Sequence, residues 1–327
     1  MASSPHRTFE RTAEPGPLRS PGRRALVTGA TGFIGGRLAR LLADAGWTVR
    51  CLVRDRSRAR HLERRGFELH EGDVLRPETL ERAGRDVEVA YYLIHAMGRG
   101  ARGDFPAREH AGAEAFASMA GREGIARMIY LGGLGEPNSR NLRSRHETAR
   151  VLAEHGPPLT YFRAGMVVGP ESESYRTLRY LVERLPAMIA PAWLRVPTQP
   201  IAIDDVLAYL AAAPDLPGST AGEIQIGGPD VLPYGEMLDR MAEALGRRPR
   251  PKLPVPLLTP RLSSLWIGLV TPVDAGVARP LIEGLSIKTT VTDSSCAALF
   301  DIAPLTYGEA LLRAVADDSA TRCTAGH

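Results

Sequence analysis

Three glycines, Gly29, Gly32 and Gly35, repeat at every third position in the stretch Ala25-Leu-Val-Thr-Gly-Ala-Thr-Gly-Phe-Ile-Gly-Gly36. The chemistry this spacing serves is anion binding by backbone. Gly29 permits a sharp turn off the preceding strand. Gly32 lets N–H groups approach a pyrophosphate without a Cβ in the way. Gly35 lets the following helix pack close to the strand. Thr31, Phe33 and Ile34 fill the same loop and are expected to line the ligand with it. A helix opening at residue 33 would aim its unpaired N–H groups and positive end at the phosphates. With an apolar strand before the glycines and an amphipathic run after them, the expected ligand is a dinucleotide.

A second group of residues bears on which dinucleotide. The second strand ends Leu52-Val53-Arg54-Asp55-Arg56. An acidic residue at the end of this strand binds a ribose 2′-hydroxyl, whereas a basic one accommodates a 2′-phosphate. Arg54 holds that place, and a guanidinium can clamp a phosphate bidentately. The expected cofactor is therefore NADP(H). Asp55 argues for NAD as the alternative, unless it caps the next helix; Arg60, Arg64 and Arg65 read as a solvated face. Asp73 and Val74, after the third strand, are placed to meet an adenine. His95, Ala96 and Met97, after the fourth, are expected to border the ribose and phosphates. Ala164, at the end of the sixth, completes the expected cofactor contacts.

These residues need a scaffold that brings strand ends together. Strand signals at 24–28, 48–53, 67–71, 87–94, 127–131 and 159–163 alternate with helix signals at 33–45, 57–65, 77–83, 106–123 and 144–154. That alternation predicts an α/β fold, a doubly wound parallel sheet (Rossmann) with helices on both faces. After Gly169 the pattern changes. Helices are expected at 175–185, 234–245, 275–285 and 307–316, a strand at 223–226, and Asp204 as an N-cap. The expected organisation is a disordered tail over 1–22 and a Rossmann core over 23–165. A smaller C-terminal substrate lobe over 166–327 is interleaved with the last elements of the core. The chain of 327 residues carries a formal charge of +4 and three cysteines in no paired motif. A cytoplasmic location without a disulfide framework is expected. No apolar run is long enough to span a membrane. The eight histidines are scattered, so no metal site is expected. Nucleic acid is not an expected partner. The segment 251–272 is expected to wrap over the core, with weak peripheral membrane contact through Trp266 and Ile267 as the alternative.

Further motifs carry a resemblance. Tyr-Tyr-Leu-Ile-His-Ala-Met-Gly at 91–98, Ile-Tyr-Leu-Gly-Gly-Leu-Gly at 129–135, Leu-Arg-Ser-Arg-His-Glu at 142–147, Arg-Ala-Gly-Met-Val-Val-Gly at 163–169, Gln-Pro-Ile-Ala-Ile-Asp-Asp-Val at 199–206 and Leu-Thr-Pro-Arg-Leu-Ser-Ser-Leu-Trp at 258–266 resemble an atypical extended branch of the short-chain dehydrogenase/reductase superfamily. Its bacterial members are described as NmrA-like or nucleoside-diphosphate-sugar epimerase-like, and it is distantly related to the Rossmann subunit of respiratory complex I. The resemblance implies NAD(P) binding and hydride chemistry.

It also implies a catalytic centre that this chain departs from. The superfamily pairs a Tyr with a Lys four residues later and an upstream Ser. Here Gly132 and Gly133 stand where the Ser belongs, and no Tyr-x-x-x-Lys occurs. The helix that should carry the pair offers His146 and Arg150. Histidine titrates near neutrality, so His146 can serve as general acid/base. Spacing by four puts Arg150 on the same helix face as the cationic partner. Gly132 then borders the cofactor. The expected function is an NADP-dependent oxidoreductase that transfers hydride to an apolar carbonyl, enone or related small molecule. One alternative is an NADP(H)-binding sensor or scaffold without turnover. Another is a sugar-nucleotide epimerase-like enzyme, disfavoured because it too leans on the missing Tyr and Lys. Met166, Tyr175, Leu178, Leu181, Met188, Trp193, Leu265 and Trp266 are the candidates for an apolar substrate surface, or else ordinary core. The sequence names neither the substrate nor the oligomeric state.

Overall fold

A computed structural model describes residues 22–94, 105–184, 188–190, 192–217, 222–254 and 287–325. Seven parallel strands make the central sheet: β1 (Arg24–Thr28), β2 (Thr48–Val53), β3 (Glu68–Glu71), β4 (Val89–Tyr92), β5 (Arg127–Gly133), β6 (Leu159–Ala164) and β7 (Gly222–Ile226). Their spatial order is β7-β6-β5-β4-β1-β2-β3. The strand order reverses between β1 and β4, which is where a doubly wound sheet opens a ligand crevice at its carboxyl edge.

The alternation of side chains along each strand feeds two faces. Ala25, Val27, Ile129, Leu131, Phe162 and Ala164 enter one core, closed by helices α1 (Phe33–Asp44) and α6 (Ile203–Ala212). Leu26, Met128, Tyr130, Leu159 and Tyr161 enter the other, beneath α3 (Phe105–Arg122) and α4 (Arg140–His155). The expected doubly wound parallel sheet is therefore present. Gly46 and Gly124 take positive φ just past α1 and α3, where a side chain would be strained.

Local structure departs from expectation where caps and turns intervene. Only a single turn, α2 (Arg60–Glu63), forms in place of a helix over 57–65. Asp55 Oδ1 accepts the N–H groups of Ser57 (2.9 Å) and Arg58 (3.3 Å), and that turn occupies the residues before α2. α4 begins a full turn earlier than expected, because Ser139 caps it by accepting the N–H of Leu142 at 3.1 Å. Asp204 is not the cap of α6. Ala202 is, with no side-chain bond, and Asp204 lies inside the first turn.

A third core gathers Met166, Tyr175, Leu178, Leu181, Leu232, Met237 and Tyr307 from α5 (Glu173–Arg184), α7 (Tyr234–Ala244), α8 (Tyr307–Ala325) and the short segments between them. Of the apolar candidates for a substrate surface, Met166, Tyr175, Leu178 and Leu181 are buried here against one another. They are packing residues. The tail over 1–21, the side chains of Met188 and Trp193, residues 255–272 with Leu265, Trp266 and Ile267, and the helix expected at 275–285 lie outside the described residues.

Candidate active site

The turn between β1 and α1 shows why its glycines are glycines. Gly29 has φ +64°, and a Cβ there would stand 2.7 Å from the Leu93 carbonyl oxygen. A Cβ on Gly35 would overlap the Gly29 carbonyl. Gly32 closes the turn, its N–H donating to Gly29 O at 2.8 Å. α1 then starts with Gly32 as N-cap and no side-chain capping bond, and the first helical bond is Gly36 N–H to Gly32 O. The N–H groups of Phe33, Ile34 and Gly35 precede it and have no acceptor among the described residues, beside the exposed Thr31 and Gly32. The chemistry of this donor set fits a dinucleotide pyrophosphate.

Thr28 carries no signal in the sequence beyond its place in the strand. Its buried hydroxyl donates to Tyr91 O (3.0 Å) and accepts from Leu93 N–H (2.7 Å), fastening the ends of β1 and β4 at the crevice. His95, Ala96 and Met97 come directly after and lie outside the described residues.

At the end of β2 the charged residues separate by what they bind. Arg56 pairs with Glu63, and Arg58 with Asp55. Asp55 is held below its ordinary range, chiefly by the hydroxyl of Ser57. Arg54 is exposed and has no ion-pair or hydrogen-bond partner among the described residues. Asp73 accepts Leu75 N–H at 3.0 Å, and its own N–H donates to Thr79 Oγ1 at 2.9 Å. Val74 turns into the core beneath Gly112.

At the far side of the crevice α4 carries His146, half-buried, with Nε2 3.4 Å from the Gly135 carbonyl oxygen. The same oxygen accepts from Arg163, a buried residue on β6 that also bonds Gly133 O (3.3 Å) and pairs with Glu223 at 2.5 Å. Glu223, Arg163 and the loop after β5 thus form one network that supports His146. The expected partnership of Arg150 with His146 does not form. The Arg150 guanidinium is exposed and shared between Glu147 (2.5 Å) and Glu154 (2.6 Å) on the outer helix surface. The cation nearer the end of β5 is Arg145. Its Nη1 lies 3.7 Å from where a Cβ on Gly133 would be, and it has no hydrogen-bond or ion-pair partner among the described residues. A Cβ on Gly132 would meet the ring of Tyr161. Ala164 is buried, and its carbonyl accepts Leu134 N–H at 2.8 Å. Sequence spacing does not group Tyr161 with Arg145, because Tyr161 belongs to a different element.

Residues 29–178 match the NAD(P)H-binding family. The chain is 28% identical over 267 residues to a ceramide reductase of Caulobacter vibrioides, covering 79% of this chain and 83% of that protein. It is 29% identical over 248 residues to subunit 9 of the NADH dehydrogenase [ubiquinone] 1 alpha subcomplex of Arabidopsis thaliana, covering 71% and 61%. In fold it is similar to the Citrobacter sp. triphenylmethane reductase crystallised with NADP(H), at a TM-score of 0.69 and 14% identity over 89% of this chain and 99% of that one. Among the described residues no helix is long and apolar enough to cross a membrane, and no His, Cys, Asp and Glu cluster suits a metal.

Proposed function

We propose that the chain is an NADPH-dependent oxidoreductase acting on an apolar carbonyl, enone or related small molecule. The observation that carries the reading is the open start of α1. Three backbone N–H groups face the crevice at the topological switch point with no acceptor among the described residues. The likeness to a ceramide reductase over most of both chains supports reduction as the reaction class.

The residues divide the work as follows. The loop from Gly29 to Gly35, with Thr31, Phe33 and Ile34, holds the pyrophosphate. Arg54 takes the 2′-phosphate, since Arg56 and Arg58 are already paired. Asp73 and Val74 border the adenine; His95, Ala96, Met97, Gly132 and Ala164 border the rest. When bound, NAD(P)H supplies a hydride. His146 Nε2 donates a proton to the carbonyl oxygen as charge develops there. Arg150 retains a supporting place in this reading only through Glu147 and Glu154, by fixing the outer face of α4.

The test is NADPH consumption, followed by near-ultraviolet absorbance, with decanal, cinnamaldehyde and methyl nonyl ketone. The expected result is turnover of at least one of them, lost in His146→Ala. A protein that binds NADPH tightly and consumes it with none of them is the sensor or scaffold instead. Glycine at 132, in place of the superfamily's Ser, is the observation that favours this second reading.

A further inference from the structure

We propose that Tyr161 supplies the hydroxyl of the reaction site, donating a hydrogen bond to the substrate's carbonyl oxygen in place of the serine absent at Gly132. The proposal rests on the hydride-transfer reading and adds a residue to it.

The placement follows from the sheet. Tyr161 stands opposite Tyr130 in the β5–β6 register. Its ring stacks on that of Tyr130, with centroids 5.2 Å apart and planes 20° apart. From there the phenol leans toward the carboxyl end of β5. A Cβ built on Gly132 would lie 2.7 Å from both Cε2 and the phenolic oxygen of Tyr161. A serine at 132 would carry its own oxygen one bond beyond that Cβ, so the phenol oxygen occupies the neighbourhood in which such a hydroxyl would sit. Gly132 is what makes room for the ring.

The hydroxyl also lacks a use in the fold. Tyr161 is 6% exposed, and its oxygen is buried with no hydrogen-bond partner among the described residues. Buried hydroxyls are paired as a rule, because an unpaired one costs stability. A phenylalanine would fill the same space without that cost. Retention of the oxygen points to a ligand atom.

Its surroundings suit a donor to developing negative charge. Burial pushes the phenol up to about 12, against the opposing pull of Arg163 and Arg145, so it keeps its proton at neutral pH. Arg145 has no partner among the described residues and lies beside the same strand end, adding positive potential. The His146 ring meets Tyr161 edge-on, with centroids 6.1 Å apart and planes at 87°. Its only bond among the described residues is the 3.4 Å contact to Gly135 O.

The test uses the full chain saturated with NADPH and titrated with decanamide, an apolar carbonyl compound that resists reduction, read by the fluorescence of bound NADPH. Wild type is expected to bind decanamide, and Tyr161→Phe to bind it about tenfold more weakly. NADPH affinity should stay within about twofold, and the unfolding temperature should be equal or higher, since only an unpaired hydroxyl is removed. Tyr161→Leu should lose the same affinity, and Gly132→Ser combined with Tyr161→Leu should regain most of it. Equal decanamide affinity in Tyr161→Phe and wild type overturns the proposal, as does failure of wild type to bind decanamide. NADPH consumption with the three carbonyl probes is read separately. A wild type that turns over while Tyr161→Phe binds decanamide normally removes Tyr161 alone; one that consumes no NADPH removes the underlying reading.

Discussion

Arg54 and Asp55 are neighbours with opposite fates. Asp55 is engaged by Ser57 and Arg58, while Arg54 stands at the end of β2 without a partner among the described residues. An acid that is already engaged competes poorly for a ribose hydroxyl. Arg54→Asp is therefore expected to weaken NADPH binding by about 1–3 kcal/mol, with NADH affinity unchanged or improved, in parallel fluorescence titrations. His146→Ala should lower turnover about 10²–10⁴-fold while leaving NADPH affinity intact. Full activity in that variant would return His146 to the role of a helix-surface side chain. The glycine turn between β1 and α1, and the place of Arg54 at the end of β2, are legible in the sequence because each depends on local spacing at one strand end. Tyr161 and Arg145 are not. They meet only because β6 pairs with β5 and α4 lies over both, which no spacing within either segment encodes. Arg150 fails for a related reason. Four-residue spacing predicts it beside His146, but two glutamates one turn either way compete for it and win.

Among the helices and strands, α1 is the most constrained. Gly35 is set so close beneath Gly29 that a Cβ would overlap its carbonyl. Gly35→Val should abolish NADPH binding, whereas Gly66→Ala, at an open turn with positive φ, should cost only modest stability. Normal cofactor affinity in Gly35→Val, measured by calorimetry, would misplace the phosphate loop. α6 carries a second testable device. Asp205 is buried, accepts Leu305 N–H at 2.9 Å, and is held above its ordinary carboxylate range mainly by burial. A raised folded value means that the folded state holds the proton more tightly than the unfolded chain. Its contribution is therefore most favourable in acid and declines as pH rises from about 4 through the raised value. Asp205→Asn should flatten that part of the pH–stability profile and be neutral or stabilising at pH 7 in thermal melts. Asp205→Ala should destabilise by about 1–3 kcal/mol by orphaning the Leu305 N–H. The existence of α1 and β5 is readable from periodicity. Where an element ends is not, because the caps decide it. Ser139 starts α4 a turn early, and the Asp55 turn replaces the first half of the helix expected at 57–65.

Across the fold, the parallel sheet sets the crevice and the remaining chain leans on it. Arg37 on α1 pairs with Glu171, and its guanidinium lies 4.7 Å from the centre of the Phe33 ring. A Cβ on Gly169 would stand 2.7 Å from that ring. The segment beyond β6 is thus packed directly against the start of α1. The order of strands and helices is apparent from the alternating pattern, since a parallel sheet demands a crossover between strands. The pairing of β7 with β6 is not, because α5, α6 and several short strands intervene between Ala164 and Gly222. Isotope transfer decides whether this scaffold passes a hydride from NADPH to an apolar carbonyl. The protein is incubated with decanal and with NADPH deuterated on one or the other face of nicotinamide C4, and the product is analysed by mass spectrometry. The expected product is decanol carrying one deuterium at its carbinol carbon, from one of the two labelled cofactors and not from the other. Tight NADPH binding with no deuterated decanol from either would contradict hydride transfer to this carbonyl class.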